Sequence, residues 1–302
     1  MKHVNLGKLP IYIHVPKNAG TFVQSVLKQH FIRTRDVDEE NTYRYYRKVT
    51  VETPVANISV HCMFKTEYWR SDPHMKRHPL SIMRNVNNPR AGWCTWDTFE
   101  TYMKNDQLDI LFVSVEPILN PESPTLPDLR CGYFIALQIA KCVGKQPQSY
   151  ISLREPYNRQ QSIYHYIRGS ESTHEPSHGS LISETFEDYI MSPQLEDSWL
   201  IRCMSAIPNQ QHLNEYWLQH TMYFLQQHEF QVYDIKQTEH MLNDIVSCVH
   251  ECSIVADDLS KAHENKTSYI IKTKFADLQP EAKVRFNQVT RFDRMLYNTY
   301  CK

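Results

Sequence analysis

Two short segments of this 302-residue chain combine basic side chains, hydroxyl groups and turn residues in patterns that suit an anion. The first is PKNAGT, residues 16–21, and the second is LREPYNRQQS, residues 153–162. Each follows an apolar run and precedes a helical pattern, so backbone N–H groups at a helix start would face the bound group. The chemistry expected of such loops is the binding of phosphate groups.

The first loop places Lys17 and Gly20 between a predicted strand and a helix that Thr21 is expected to cap. Its spacing differs from the nucleotide-binding pattern G-x-x-x-x-G-K-[ST], because no Gly-Lys-Ser or Gly-Lys-Thr follows. Taken alone, the segment fits a structural turn with an exposed lysine better than it fits a phosphate site.

The second loop brings Arg154 and, one helical turn further on, Ser162. The planar fork of an arginine matches phosphate oxygens, and a serine hydroxyl adds a short hydrogen bond. The alternative is a structural salt bridge from Arg154 to Glu155 or Asp188. Two loops of the same kind in one chain favour the anion-binding interpretation for both.

The elements that must position these loops are predicted from four apolar runs, at residues 11–15, 55–60, 110–115 and 150–153. Each run is continuous, which is typical of strands buried on both faces of a parallel sheet between helices. Polar residues follow three of the runs, namely His61, Glu116 and Arg154. From Phe186 onward the pattern is helical, with one short β-type run at residues 230–233.

We therefore expect a single α/β domain over residues 1–302, because no repeat or change of composition marks a boundary. Its ligands should gather at the carboxyl edge of a central parallel sheet flanked by helices. Residues 69–127 are the least regular part of the chain. They are either an insertion that selects the acceptor or a solvated connection that binds nothing.

Composition excludes several classes of protein. Thirty-three basic and thirty-four acidic residues give a net charge of −1, so no overall field attracts nucleic acid or an anionic membrane. No apolar run approaches the length of a membrane span, and no secretion signal is visible, so we expect a cytoplasmic protein or one exported without such a signal. Eight dispersed cysteines indicate reduced thiols rather than a disulfide framework.

The two loops together resemble motifs of the PAPS-dependent sulfotransferases, in particular the heparan sulfate 2-O- and 6-O-sulfotransferases (PAPS is 3′-phosphoadenosine 5′-phosphosulfate). IHVPKNAGT, residues 13–21, is similar to the 5′-phosphosulfate loop of that family, and LREPYNRQQS is similar to its 3′-phosphate motif. Weaker similarities follow in family order at residues 192–204, 263–267 and 287–297. Ala206 departs from the usual small glycine, and residues 69–127 match nothing in the family, which leaves the acceptor open.

The resemblance implies a P-loop-like sulfotransferase fold, PAPS as the sulfuryl donor, a carbohydrate hydroxyl as the acceptor, and no metal. It assigns Lys17 a catalytic as well as a binding role. It also assigns two groups of PAPS-binding residues: Lys17, Asn18, Ala19, Gly20, Thr21 and Phe22 at the 5′-phosphosulfate, and Arg154 and Ser162 at the 3′-phosphate. Lys266 and Thr267 of the late loop are expected to contact the nucleotide as well.

The acceptor hydroxyl must lose a proton, and His61 is the predicted base. It follows the second apolar run, which in a parallel sheet would bring it to the edge from which the PAPS loops emerge. The family also places its catalytic histidine soon after this strand. His165 is a weaker alternative, packing is the expected role of His14, and Glu116 is expected either to orient His61, to bind acceptor or simply to be exposed.

Other functions stay open at this point. One is an ATP-dependent phosphotransferase, and another is an inactive module that binds PAP, the desulfated nucleotide, or a glycan. The basic and aromatic stretch at residues 43–48 either grips an anionic acceptor or is a solvated amphipathic element. Trp199 and the tyrosines 164 and 166 are candidates for stacking on adenine.

Overall fold

A computed structural model describes residues 7–34, 44–53, 56–65, 93–94, 108–117, 128–170, 185–193, 195, 198–205, 207, 212–249, 253–261 and 273–302. Its centre is a mixed sheet whose strands lie in the order β4-β2-β3-β5-β1-β6-β7. The strands are β1 Lys8–Ile13, β2 Arg44–Glu52, β3 Ala56–Lys65, β4 Trp93–Cys94, β5 Leu108–Pro117, β6 Gln146–Leu153 and β7 Gln231–Asp234.

The sheet has two halves with different strand pairing: β5, β1, β6 and β7 form the parallel half, and the other half contains β3, which alone among the described strands runs against the rest. Strand β1 runs parallel to both β5 and β6, and β7 runs parallel to β6. Strand β3 is antiparallel to β5 on one side and to β2 on the other. The prediction of a parallel sheet, made for four apolar runs, is therefore correct for β5, β1 and β6 and wrong for β3, which forms an antiparallel hairpin with β2.

That hairpin closes over a short connection, which two antiparallel strands allow and two parallel strands do not. Thr53 N donates to the carbonyl of Ala56 at 3.2 Å, and Ala56 N donates to Thr53 Oγ1 at 3.0 Å. Residues 44–48 are part of strand β2, whereas the sequence allowed two interpretations of the stretch 43–48.

Helices cover both faces of the sheet. They are α1 Gly20–Arg33, α2 Leu129–Cys142, α3 Pro156–Ser170, α4 Phe186–Met191, α5 Trp199–Ser205, α6 Glu215–Gln227, α7 Thr238–Ser247, α8 Ala256–Lys261, α9 Pro280–Val289 and α10 Arg291–Cys301. The helical pattern predicted from Phe186 onward is confirmed for the described residues, and its last two helices, α9 and α10, are separated at Thr290. None of the described helices is long and apolar enough to cross a membrane.

Alternate residues of β1 enter different cores, as expected for a strand buried on both faces. Ile11 and Ile13 pack with α2, α5, α6 and α10, whereas Tyr12 packs with α1 and α7. Gly132 allows α2 to lie directly on the sheet, because an added Cβ there would be 2.5 Å from Val115 Cγ1 and 2.7 Å from Ala56 Cβ. The core thereby holds the parallel and antiparallel halves as one body and fixes the edge described next.

Candidate functional site

The carboxyl ends of β5, β1 and β6 meet at one edge of the sheet. Ile13 of β1 pairs with Val115 of β5 and with Ile151 of β6, so the strands end at nearly the same height. The loop that enters α1 and the loop that enters α3 both leave from this edge. The structure thus brings the two predicted anion loops together.

Backbone geometry in the first loop is unusual for residues that carry side chains. Lys17 has φ 66° and Ala19 has φ 63°, both in the left-handed region. Each such residue costs on the order of 1–2 kcal/mol, and such strain is concentrated at functional sites. Turns of this kind aim successive N–H groups at one point, as an anion requires.

Side chains of β1 and β6 hold this loop in place. Tyr12 donates to Ser152 Oγ at 2.8 Å, Ser152 Oγ donates to the Asn18 carbonyl at 2.7 Å, and Asn18 Nδ2 donates to the Ser152 carbonyl at 2.9 Å. Asn18 is 1% exposed. Its side chain therefore fastens the loop to β6, which is a different use from the direct phosphate contact that the resemblance implies.

Helix α1 begins at Gly20, two residues earlier than a cap at Thr21 predicts. Its N-cap is Ala19, and no side chain caps it. The prediction that Thr21 caps the helix is wrong, because Thr21 lies inside the first turn and is exposed. Gly20, Thr21 and Phe22 instead supply the N–H groups of the first turn, which is where a helix favours an anion.

The second loop contacts the first directly. Arg154 Nη1 donates to the Lys17 carbonyl at 3.1 Å. Glu155 is used differently, because its carboxylate accepts from the N–H groups of Tyr157 and Asn158 and so caps α3. The described residues show no salt bridge from Arg154 to Glu155 or Asp188, the alternative that the sequence left open.

Arg159 adds a third cation behind these loops. It is 3% exposed, and its Nε donates to the Pro16 carbonyl at 3.4 Å. Its Nη1 lies 3.8 Å from Asp293 Oδ2, and its guanidinium lies 4.5 Å from the centre of the Trp199 ring. Trp199 therefore stacks on an arginine, whereas the sequence made it a candidate for stacking on adenine.

The electrostatics of the two loops favour an anionic ligand. Burial, followed by the charge of Arg154, lowers the pKa of Lys17. Burial also lowers the pKa of Arg154, against the opposing effect of Glu155, and the charge of Arg159 lowers it further. Arg154 Nε and Arg159 Nη2 are enclosed without a hydrogen-bond partner among the described residues, and both side chains line one pocket with Asn18 and Tyr297. Donors left in this state cost free energy until an acceptor reaches them, and the Asp293 carboxylate also lines this pocket.

No protein family model, curated protein or solved structure matches this chain. What the chain does must therefore be argued from the geometry of the site and from the resemblance of its motifs.

A polar cluster lies beside the first loop, at the junction of the two halves of the sheet. His14 Nδ1 is 3.4 Å from Glu116 Oε1. Gln24 Nε2 donates to the same carboxylate oxygen and to Ser114 Oγ at 3.1 Å. Lys48 Nζ donates to Gln24 Oε1 at 3.1 Å and is 3.7 Å from Glu116 Oε1. Four elements, β1, β2, β5 and α1, thus converge on one carboxylate.

The environment keeps Glu116 ionised. Burial by itself would raise its pKa, but the hydrogen bond and charge of His14, the charge of Lys48 and the hydrogen bond of Gln24 lower the pKa to about 2. A carboxylate of this kind is a permanent acceptor at neutral pH. The sequence leaves the role of Glu116 open and predicts a packing role for His14, so it does not predict the His14–Glu116 pair. One hint is present in the sequence: Gln24 follows Gly20 by four residues, so it lies on the same face of α1 as the start of the helix and indicates a polar contact there.

His61 does not occupy the predicted position. Strand β3 continues to Lys65, so His61 lies inside it, opposite Phe112 rather than at a strand end. Because β3 is antiparallel to β5, its carboxyl end points away from the edge that carries the loops. Along β5, Phe112 is four residues from Glu116, which is about 13 Å.

The surroundings of His61 are those of a core residue. It is 1% exposed, its ring stacks on Phe112 at 3.8 Å, and its Nδ1 is hydrogen-bonded to the Tyr46 hydroxyl. Its Nε2 is enclosed without a partner among the described residues. Burial, with a smaller contribution from Lys48, holds the pKa of His61 well below its usual value of 6.5. The positional reason for its predicted role as a base is therefore lost.

The remaining predicted residues divide into two groups. Ser162 is half-buried in α3, one turn after Arg159 and on the same side of the helix. Lys266 and Thr267 lie outside the described residues, as does most of the region 69–127. Their predicted contacts with the nucleotide stay predictions.

Proposed function

We propose that this protein is a PAPS-dependent sulfotransferase that transfers a sulfuryl group to a hydroxyl of a carbohydrate. The observation that carries the proposal is the hydrogen bond from Arg154 to the carbonyl of Lys17. PAPS has two separate anionic groups, and this contact joins the two loops that the proposal assigns to them. The resemblance of both loops to the family's two PAPS motifs supports the same ligand.

In the proposed reaction the acceptor oxygen attacks sulfur in line with the departing 5′-phosphate oxygen. Catalysis then depends on alignment and on stabilising the charge that develops on that oxygen, by analogy with phosphoryl transfer. Lys17 and the first-turn N–H groups of α1 have that role. Arg154, Arg159 and Ser162 would hold the 3′-phosphate, and no metal has a part in this scheme.

Nucleotide binding tests the proposal first. Calorimetry should show that PAP binds, and that ATP with Mg²⁺ binds at least about tenfold more weakly, because the loops offer two phosphate sites rather than one triphosphate cradle. Arg154→Ala should weaken PAP about 10- to 100-fold, the usual effect of losing charged hydrogen bonds. Arg291→Ala is the matched control, because Arg291 is exposed on α10.

The pattern of failure identifies the alternative functions. Tighter binding of ATP with Mg²⁺ than of PAP would indicate a phosphotransferase. PAP binding combined with no transfer of label from sulfur-labelled PAPS would indicate an inactive binding module. The transfer assay uses desulfated heparin as the first acceptor, followed by other glycans, small alcohols and peptides.

A further inference from the structure

The His14–Glu116 pair is the feature of the site that the proposed function has not used. It lies at the carboxyl edge of β1 and β5, next to the first loop, and side chains from the neighbouring elements hold it. A histidine fixed by a carboxylate through one nitrogen is a common arrangement for a general base, because the carboxylate sets the tautomer and orients the ring.

The contacts of His14 distinguish its two nitrogens. Nδ1 lies 3.4 Å from Glu116 Oε1 and 3.3 Å from Gln24 Nε2. The two amide hydrogens of Gln24 are used by Glu116 Oε1 and Ser114 Oγ, and an ionised carboxylate only accepts hydrogen bonds, so the proton of a neutral His14 belongs on Nδ1. Nε2 then carries the lone pair. The described residues offer Nε2 no hydrogen-bond partner, which leaves it available to a hydroxyl.

Gly20 shows where Nε2 lies. A Cβ built on Gly20 would be 1.6 Å from His14 Cδ2 and 2.1 Å from Nε2, so the imidazole edge rests directly on the first residue of α1. That residue also belongs to the loop proposed to hold the 5′-phosphosulfate. Nε2 is therefore beside the N–H groups that would bind the donor, while the side chain stays 14% exposed.

We propose that His14 is the general base of the transfer and that Glu116 is its positioning residue. This inference rests on the proposed function. His14 Nε2 takes the proton of the acceptor hydroxyl while the acceptor oxygen forms a bond to sulfur. The bond from sulfur to the 5′-phosphate oxygen breaks, and its electron pair stays on that oxygen. The products are the sulfate ester, PAP and a protonated His14, which returns its proton to solvent.

The key test distinguishes a role of His14 as general base from a purely structural role. His14→Asn keeps an N–H near the position of Nδ1, for Glu116, and removes Nε2. It should lower kcat for transfer from sulfur-labelled PAPS to desulfated heparin by about 100-fold or more, the usual contribution of a general base, while the Kd for PAP stays within about twofold. His240→Gln, on the exposed surface of α7, should leave both values unchanged.

Chemical rescue gives a second readout that a structural role would not produce. His14→Ala opens a space the size of the ring next to Gly20, and added imidazole should restore at least about tenfold of the lost kcat. Glu116→Gln should lower kcat about tenfold or more with little change in the Kd for PAP, and Glu116→Asp should recover part of the loss.

The outcomes for the two proposals differ. A wild-type protein that binds no PAP, or that transfers label to no acceptor, overturns the proposed function and this inference together. An active wild-type protein whose His14→Asn variant keeps its kcat overturns only the assignment of His14. A loss of PAP affinity equal to the loss of kcat would assign His14 to the architecture of the loop and would also overturn it.

Discussion

His14 follows the end of β1 and His61 lies within β3, both on the face of the sheet covered by α1, yet they have opposite environments. His14 directly follows a strand of the parallel half, is paired with Glu116, and keeps one nitrogen without a partner among the described residues. His61 is in the middle of the antiparallel half, stacked on Phe112 and enclosed. Strand direction makes the difference, because only the strands that run parallel deliver their last residues to the edge where the loops gather.

The largest effect on kcat is expected at Lys17, beside the parallel half of the sheet, with Lys48 on β2 as the comparison from the other half. Lys17→Ala should lower kcat about 100- to 1,000-fold, because it removes a charge from the departing phosphate oxygen. Lys48→Ala, on β2, should lower kcat less than about tenfold, because Lys48 contacts only Gln24 and Glu116 in the described structure. Steady-state transfer assays with both variants compare the halves directly, and equal losses would contradict the distinction.

The next effect concerns acid stability at the parallel edge. The pKa of Glu116 is about 2 in the folded protein and 4.5 without the fold, so its ionised form contributes stability that is complete above about pH 5 and is lost as the pH falls towards 2. The contribution is at most about 3 kcal/mol. Urea unfolding of the wild type and Glu116→Gln between pH 2 and 6 should show a shallower decline for the variant.

A steric change at the same edge should be smaller. Gly20→Ala would force its Cβ into the His14 ring, at a cost of about 1–3 kcal/mol in the free energy of unfolding, and it should also reduce turnover by displacing the ring. Gly144→Ala is the control, because its added Cβ meets nothing within 4 Å and only its φ of 65° opposes the change. Thermal unfolding with transfer assays would measure both, and full activity in Gly20→Ala would argue against the placement of His14.

The smallest effect on catalysis is expected at His61. His61→Asn keeps an acceptor for the Tyr46 hydroxyl and should change kcat less than about threefold. Because burial lowers the pKa of His61 below 6.5, its neutral form contributes stability that is present above pH 6.5 and is lost as the pH falls below that value. The wild type should therefore lose up to about 1.4 kcal/mol more than the variant per pH unit below 6.5.

A control is built into that measurement. Burial also lowers the pKa of His30, which is held by Asp258, but His30 is present in both proteins and cancels in the difference. A His61→Asn variant that folds normally and loses turnover about 100-fold would reverse the comparison and restore His61 as the base.

The sequence supports a prediction of the strands but not of their directions. Continuous apolar runs indicate burial on both faces; the runs at residues 110–115 and 150–153 lie in central strands, and the run at 11–15 begins in β1 and extends two residues past its end. Burial carries no information about the direction in which a strand runs, so the sequence predicts the wrong direction for β3. The short connection between residues 52 and 56 indicates a hairpin only if β2 is already identified as a strand. The basic and aromatic residues of β2 also fit a solvated element, so the sequence alone does not identify it.

The candidate site was predictable to a similar degree. Lys17, Gly20 and Arg154 can be predicted as site residues from the local sequence, because the functional groups of each loop lie within a few consecutive residues. Glu116 and Gln24 join His14 only through tertiary structure, across sequence separations of 102 and 10 residues. No local pattern announces such a pair, since each of its members is an ordinary polar residue in its own segment.

The contact between Arg154 and the Lys17 carbonyl has a consequence for how affinity is distributed along a ligand. The Arg154 guanidinium holds the first loop and would also bind a ligand phosphate. Binding of a phosphate at either loop should therefore stabilise the binding-competent conformation of the other loop. Adenosine 3′-phosphate and adenosine 5′-phosphate, offered separately, should then each bind much more weakly than the intact bisphosphate.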